Sequence, residues 1–368
     1  MAATAFAVLT ASAQSPAPKD PLCEIQTTER VVAIGDVHGA FDRFVAILQE
    51  ARLIDARQRW IGGRTILVQT GDIVDRGPDS RQALDLLRRL EGQANGKGGR
   101  VYALLGNHEI MRIRGEFPYV SAGEYSVFRN GDSEDLRERY YTLLAGRRET
   151  EARAAGGTFD EPAYRERFLA STPLGLVEMR RAFLPNGDYG RWLQRHTVMV
   201  KINGVVFVHG GTNAGTAAAG CAGINAAARA ELKEPTFADS QTPNLLTGPD
   251  GPLWFRGLAD DPPTLTPDDV DGILRSLAAR AIVIGHTVAE TVDGRGDRHA
   301  AGRIRALFNG SVFQIDTGMI GGAFFPGGQA SALEFQGGVI TAIYVGDREV
   351  LAAPGTTGTP QPPRPVQR

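Results

Sequence analysis

The chain has 368 residues, 42% apolar and 22% charged, with 40 basic against 42 acidic side chains and a formal charge of −2. These figures exclude wholesale disorder, and they supply no global basic field of the kind that binds nucleic acid or steers a polyanion. Two cysteines, Cys23 and Cys221, exclude a disulfide-rich scaffold and a cysteine-based zinc site, while 45 glycines call for a local explanation.

The first residues (MAATAFAVLTASAQSPAP) are small and apolar from Ala5 to Ala11, and Ala11-Ser12-Ala13 fits a small-x-small cleavage site. A basic n-region is missing, so this is either the distal half of an export signal or a flexible tail. The expectation is export, with residues 1–22 as signal remnant and linker and a periplasmic or secreted protein; the other reading is cytoplasmic. In an oxidising compartment Cys23 and Cys221 can pair; the alternative is two unrelated thiols. No stretch approaches the ~18 apolar residues of a membrane span.

Val31–Ile34 is a β-branched run ending in Gly35-Asp36-Val37-His38-Gly39, followed by helical spacing over 41–51. Thr65–Gln69 is a second strand ending in Gly71-Asp72-Ile73-Val74-Asp75-Arg76-Gly77, followed by a helix from Ser80 to Leu90. Val101–Leu105 ends in Gly106-Asn107-His108-Glu109. Residues 110–197 carry helical patterns near 132–145, 161–170 and 172–184 without a strand run, and read as a helical insertion that either walls the site or lies apart from it. Val198–Ile202 and Val205–Val208 flank Asn203-Gly204, a hairpin signal, and lead into His209-Gly210-Gly211. The 212–265 stretch is loop-rich, with a helix near 223–234. Ala281–Ile284 ends in Gly285-His286, and Val312–Ile315 ends in Asp316-Thr317-Gly318. Runs at 333–335 and 339–344 form a closing hairpin. The folded domain is expected over 23–352, and the Pro-rich 353–368 as a disordered tail.

Six strands thus end in Gly-flanked clusters of polar residues, the place where α/β proteins gather ligands. Asp36, His38, Asp72, Asn107, His209 and His286 are carboxylate, imidazole and amide, a donor set for divalent Mn, Zn, Fe or Co. Asp72 can bridge two ions: Asp36, His38 and Asp72 make one site, and Asp72, Asn107, His209 and His286 the other. Two ions roughly 3.5–4 Å apart form a clamp for phosphoryl hydrolysis, with a bridging water as nucleophile. His108 is spare and can act as general acid, supported by Asp75. Arg76 and Arg256 can grip phosphate oxygens, although Arg256 alone also reads as an interdomain salt bridge. A lone Asp-x-His is ordinarily a surface loop and a lone Gly-Asp a turn, so the inference rests on the set. His196 and His299 carry no motif, and Thr287 and Asp316-Thr317-Gly318 read as structural turns.

In order and form these motifs resemble the calcineurin-like metallophosphoesterases, and the Asp-Arg-Gly and Asn-His-Glu forms resemble the phosphoprotein phosphatase branch. The resemblance implies an α/β fold, an αββα sandwich of two mixed sheets flanked by helices. It also implies a dinuclear metal centre with direct attack by metal-bound hydroxide, and it places the same roles on the residues above, with Asn107 at the phosphate as well as the metal. The long 110–208 segment, and the absence at 319–326 of the inhibitor-binding loop of the eukaryotic enzymes, are similar to the bacterial Shewanella-like branch. The expected activity is hydrolysis of phosphomonoesters on phosphoserine, phosphothreonine or phosphotyrosine proteins or small phosphoesters. The alternatives are a diadenosine-tetraphosphate hydrolase, suggested by the Asp316-Thr317-Gly318 element, and a phosphate-binding protein without catalysis.

Overall fold

The apolar runs at 31–34, 66–69, 205–208 and 281–284 are short and lack polar alternation because both faces of these strands are covered. The computed structural model describes residues 19–234, 237, 243–292 and 298–353, so the expected leader at 1–18 and the tail at 354–368 lie outside the described residues. The first five strands are β1 (Val31–Ile34), β2 (Ile66–Gln69), β3 (Arg100–Ala103), β4 (Met199–Ile202) and β5 (Val205–Val208). They are followed by β6 (Ala281–Ile284), β7 (Glu290–Val292), β8 (Arg298–Ala300), β9 (Arg305–Leu307) and β10 (Val312–Gln314). The chain closes with β11 (Ser331–Gln336), β12 (Val339–Tyr344) and β13 (Asp347–Ala352).

One sheet has the order β13-β12-β11-β1-β2-β3 and the other β4-β5-β6-β10-β9, with β7-β8 as a separate ribbon. β1, β2 and β3 run parallel, as do β5, β6 and β10. β11 joins β1 antiparallel, and β4 and β9 join their sheet antiparallel, so both sheets are mixed. Side chains alternate between two apolar clusters, as the period of two requires. Val31, Ala33, Val68, Phe207, Val283 and Phe313 form the layer between the sheets, whereas Val32, Ile34, Leu67, Val206 and Ile282 pack outward in the cluster that holds the helices. Phe335 spans the layer, meeting Phe207 and Phe313 edge-on at 5.8 and 6.1 Å. This is the αββα sandwich with mixed sheets.

The outer helices read as amphipathic stripes. α1 (Phe41–Glu50) buries Phe44, Ile47 and Leu48, and α2 (Ser80–Asn95) buries Leu84, Leu87 and Leu90. Between β3 and β4 the chain forms α3 (Asn107–Arg114), α4 (Ala122–Phe128), α5 (Ser133–Ala154), α6 (Glu161–Ser171), α7 (Leu176–Phe183) and α8 (Asp188–Leu193). α7 starts later than the pattern over 172–184 suggests, because Pro173 disfavours helix at Thr172 and Gly175 takes φ +94°. α5 and α6 carry a small core of their own around Tyr141, Ala145 and Phe168. The remaining helices are α9 (Ala214–Ala217), α10 (Gly220–Lys233) and α11 (Pro267–Ser276). The Asn203-Gly204 turn has both residues at positive φ, the type I′ geometry that the dipeptide favours.

The ordered fold begins before Cys23, where the expected linker ended. Asp20 is buried, pairs with Arg229 at 2.8 Å and caps a short 3-10 turn over Pro21–Cys23. Cys23 and Cys221 are joined in a disulfide that closes a sequence separation of 198 residues and ties this turn to α10. The bond constrains the unfolded chain, an effect of about 2–4 kcal/mol. Calorimetry should therefore show a lower melting midpoint under reductant and in Cys221→Ser; coincident midpoints would mean that the bridge contributes nothing.

Candidate metal centre

The parallel strands of both sheets deliver their carboxyl ends to one place. β1 leads into Asp36 and His38, β2 into Asp72, β5 into His209, β6 into His286 and β10 into Asp316, while Asn107 opens α3 just beyond β3. All of these side chains are buried. The turns that present them are tight: a Cβ on Gly106 would lie 2.2 Å from Asp72 Oδ1, and one on Gly285 would lie 2.4 Å from Asp36 Oδ1. His38, Asp72, Asp75, Arg76 and His286 all adopt positive φ, which non-glycine residues rarely do. Such backbone strain concentrates at functional sites.

The structure brings all six expected ligands together. His38 Nε2 lies 3.7 Å from Asp36 Oδ2 and 3.6 Å from Asp72 Oδ2. His209 Nε2 lies 3.3 Å from Asp72 Oδ1 and 2.9 Å from Asn107 Oδ1. Two clusters have the spacing of metal ligands, and Asp72 belongs to both: His38, Asp72 and His108 in one, and Asp72, His209 and His286 in the other. His108, expected to be spare beside the ligand Asn107, also faces the first cluster, with Nε2 3.7 Å from Asp72 Oδ2.

The donor atoms fit a cation. His38 and His209 each direct Nδ1 to a backbone carbonyl, of Val74 and Thr70 respectively, at 3.0 Å. A carbonyl only accepts, so Nδ1 carries the proton in both rings and each turns Nε2 to the cluster. There His209 Nε2 meets Asn107 Oδ1 and Asp72 Oδ1. His286 Nε2 is buried with no hydrogen-bond partner among the described residues. Burial, with His209 and Arg256 nearby, pushes its pKa down to about 2, so the ring is neutral and ready to ligate. Burial likewise holds His38 well below its usual range. Burial, with Asp316 and then Asp72, raises Asp36 well above the usual carboxylate range. A buried cluster of carboxylates and imidazoles is a donor set that divalent ions suit.

Around this centre, His108 Nδ1 meets Asp75 Oδ2 at 2.6 Å. Burial pulls the His108 pKa down, but Asp72 and Asp75 together hold it above its usual value. Arg76 is half-buried and its Nη1 donates to the His38 lone pair. Its guanidinium carbon sits 5.9 Å from the Tyr119 ring and 5.3 Å from the Phe325 ring. Arg256 is exposed and its Nη1 donates to the His286 carbonyl and to Thr287 Oγ1, at 3.2 and 3.0 Å, so it is tethered beside the site. Thr287, expected as a structural turn, also accepts from Gln314 Nε2 at its carbonyl, at 2.8 Å. Asp316 does accept its own turn bond from Gly318 N at 2.9 Å, but it is also buried against Asp36, a placement the turn reading did not anticipate.

Two further residues escaped the sequence reading. Glu109 is fully buried, and its carboxylate accepts from the backbone N–H of Asp72, Ile73 and Gly106, each at 2.8 Å. It locks the loop after β2 onto the start of α3, and its reach back to the Gly106 N–H is the glutamate half of a capping box, a weaker signal in the sequence because Gly106 has no side chain. Tyr119, within the insertion, places its ring centroid 5.1 Å from that of His108, so the insertion does border the site.

The calcineurin-like phosphoesterase family matches residues 29–290, and the chain belongs to that family. It is 29% identical to Shewanella-like protein phosphatase 2 of Arabidopsis thaliana over 318 residues, 82% of this chain and 76% of the relative. It is 28% identical to Shewanella-like protein phosphatase 1 of Plasmodium berghei over 301 residues, 80% of this chain and 68% of the relative. Among solved structures, the cold-active protein-tyrosine phosphatase of a psychrophile Shewanella sp. superposes with a TM-score of 0.64 at 25% identity, covering 91% of this chain and 85% of that one. The chain is thus a hydrolase of the metallophosphoesterase class, similar to the Shewanella-like phosphatases, and its chemistry is metal-dependent phosphoester hydrolysis. No helix among the described residues is long and apolar enough to cross a membrane.

Metal binding to the folded state alone should raise stability by about 2.7 kcal/mol at a hundred times the dissociation constant. Chelated protein should accordingly melt lower than protein resupplied with manganese, and His286→Ala should narrow the gap. Identical midpoints with and without metal would remove the centre.

Proposed function

We propose that this chain is a phosphoprotein phosphatase with a dinuclear metal centre, acting on aryl phosphomonoesters and on phosphotyrosine ahead of phosphoserine and phosphothreonine. The observation that carries the preference is the placement of Arg76 between the Tyr119 and Phe325 rings, with Tyr119 also against His108. A phosphate held by Arg76 would have its ester group between aromatic faces, which favour a flat ring over a short alkyl chain. The similar Shewanella protein is known as a protein-tyrosine phosphatase, which agrees with this reading. His38 and Asp72 with Asp36 would hold one ion, and Asp72, His209 and His286 with Asn107 the other, which leaves His108 Nε2 free to carry a proton.

Bound divalent ions supply Lewis acidity and an activated water. The residues of the chain supply the rest. Arg76 offers a planar fork to two non-bridging phosphate oxygens, and Arg256, tethered beside His286, lies where a second contact is needed. His108 carries a proton on Nε2 and delivers it to the leaving oxygen as the P–O bond opens, while Asp75 fixes its ring through Nδ1. Tyr119 and Phe325 keep water from the ester side of the phosphate. The Cys23–Cys221 disulfide supports a periplasmic or secreted location, because such bonds persist in oxidising compartments. Fractionation of native cells that finds the protein in a reducing cytoplasm would overturn that assignment.

Manganese-loaded protein should contain two ions per chain and hydrolyse phosphotyrosine peptides faster than phosphoserine peptides or diadenosine tetraphosphate. His108→Asn should keep both ions and lose about 10²–10⁴ in kcat. A single ion per chain would exclude the dinuclear reading. Faster cleavage of the dinucleotide would make the chain a nucleotide hydrolase, and undiminished turnover in His108→Asn would discard the acid.

A further inference from the structure

Behind the His108–Asp75 pair lies a second charge pair, wholly sequestered from solvent. Arg112, four residues beyond His108 on α3 and therefore on the same helical face, donates from Nε to Asp75 Oδ1 at 2.6 Å. Asp75 Oδ2 is taken by His108 Nδ1, so the carboxylate is bracketed on both oxygens. Arg112 Nη2 donates in turn to Glu124 on α4. The hydroxyl of Ser80, at the start of α2, donates to the other oxygen of Glu124 and accepts the Asp75 N–H at 3.0 Å. The chain of contacts is a closed ring: Asp75, Arg112, Glu124, Ser80 and back to Asp75. The side chains of Arg112 and Asp75 are 0% exposed and that of Glu124 is 1% exposed. The Arg112 guanidinium rests on the Phe183 ring of α7 at 5.4 Å.

Buried ion pairs of this kind are a poor source of stability, because desolvation offsets the Coulombic gain and an apolar cluster of the same volume does as well. What a ring of fixed donors and acceptors does provide is orientation. The Asp75 carboxylate would otherwise rotate about its terminal torsion, and the imidazole would follow it. We propose that Arg112 and Glu124 are positioning residues for the general acid, holding Asp75 in the rotation that keeps His108 Nε2 aimed at the leaving oxygen. This rests on the reading of His108 as that acid. In that step a water oxygen bonds to phosphorus as the ester P–O bond breaks, and the electron pair of the broken bond stays on the leaving oxygen. That oxygen takes the proton from His108 Nε2, and His108 is left neutral with Nδ1–H on Asp75. Glu124 belongs to the insertion, so the insertion acts on the proton transfer as well as on the rim of the site.

A merely structural role would lower turnover of all substrates alike, whereas a misaimed acid matters most when the leaving group is poor. Arg112→Lys, Glu124→Gln and His108→Asn are compared with wild type on phenyl phosphate and p-nitrophenyl phosphate, with folding checked by circular dichroism and metal content measured. In Arg112→Lys and Glu124→Gln, kcat on phenyl phosphate should fall by about 10²-fold and on p-nitrophenyl phosphate by about tenfold or less, with KM unchanged within about twofold. Should Arg112→Lys not fold, Glu124→Gln decides. Equal losses on both substrates, or none, in the folded variants overturn the proposal while leaving His108 in place, provided His108→Asn itself shows the leaving-group dependence. If His108→Asn lacks that dependence, the acid reading fails and the positioning role falls with it.

Discussion

Three carboxylates, Asp36, Asp72 and Asp316, are buried where the strand ends of the two sheets meet, and the surrounding loops are shaped by the need to accommodate them. Each accepts a backbone N–H from a neighbouring turn: Asp36 from His286, Asp72 from His108 and Asp316 from Gly318. The Asp36–His286 contact is also a joint between the sheets, since β1 belongs to one and β6 to the other. These bonds offset only part of the desolvation, and burial still raises both Asp36 and Asp316. Asp72 is the exception: burial raises it too, but His209 and His108 outweigh that and leave it well below the usual range. The carboxylate shared by both ligand clusters is therefore the one held in its charged form.

Holding such a cluster in place requires backbone that the common conformations do not supply. Asp72, Asp75 and Arg76 take positive φ within one loop, and Gly71 and Gly106 allow that loop to touch the start of α3. Glu109 secures the contact with three N–H bonds to a single carboxylate. Burial and Asp72 raise its pKa, so the bonds are formed against an electrostatic cost. The turns are thus fixed by the protein's own donors.

The ligands were legible in the sequence because each sits at a strand end and is marked by glycine, a local pattern. The six core strands were legible because they are apolar on both faces. What was missed lacked one signal or the other. β13 presents mostly exposed side chains (DREVLA), so burial left no pattern in it. β7, β8 and β9 are three residues each, too short for a period to show. α11 was readable, with Thr266 and Asp269 forming a capping box and Pro267 in the first turn, but it followed a loop-rich stretch and was passed over. Asp316 and Arg112 were missed for a different reason. Their part comes from tertiary contacts, Asp316 with Asp36 and Arg112 with Asp75 and Glu124, and no spacing along the chain announces a contact across the fold.

α3 shows how much of the site one short helix can organise. Its first residue, Asn107, faces the metal cluster, its second is the imidazole of His108, its third is the loop-binding Glu109, and Arg112 follows one turn after His108. Helical geometry makes these placements interdependent: residues 108 and 112 must share a face, so the imidazole and the guanidinium behind it can reach the two oxygens of one carboxylate. The amino end of the helix also turns its unpaired N–H groups toward Asp72, with His108 N at 3.0 Å from Oδ1, adding positive potential where the buried charge is greatest. Because the same helix opens the insertion, the lobe that could have been a remote appendage is rooted in the catalytic machinery. Its near end, through Tyr119, Glu124 and Phe183, packs around His108 and Arg112, while its far end around Tyr141 and Phe168 keeps a separate small core. The two readings of the insertion are therefore both realised, at opposite ends of one lobe.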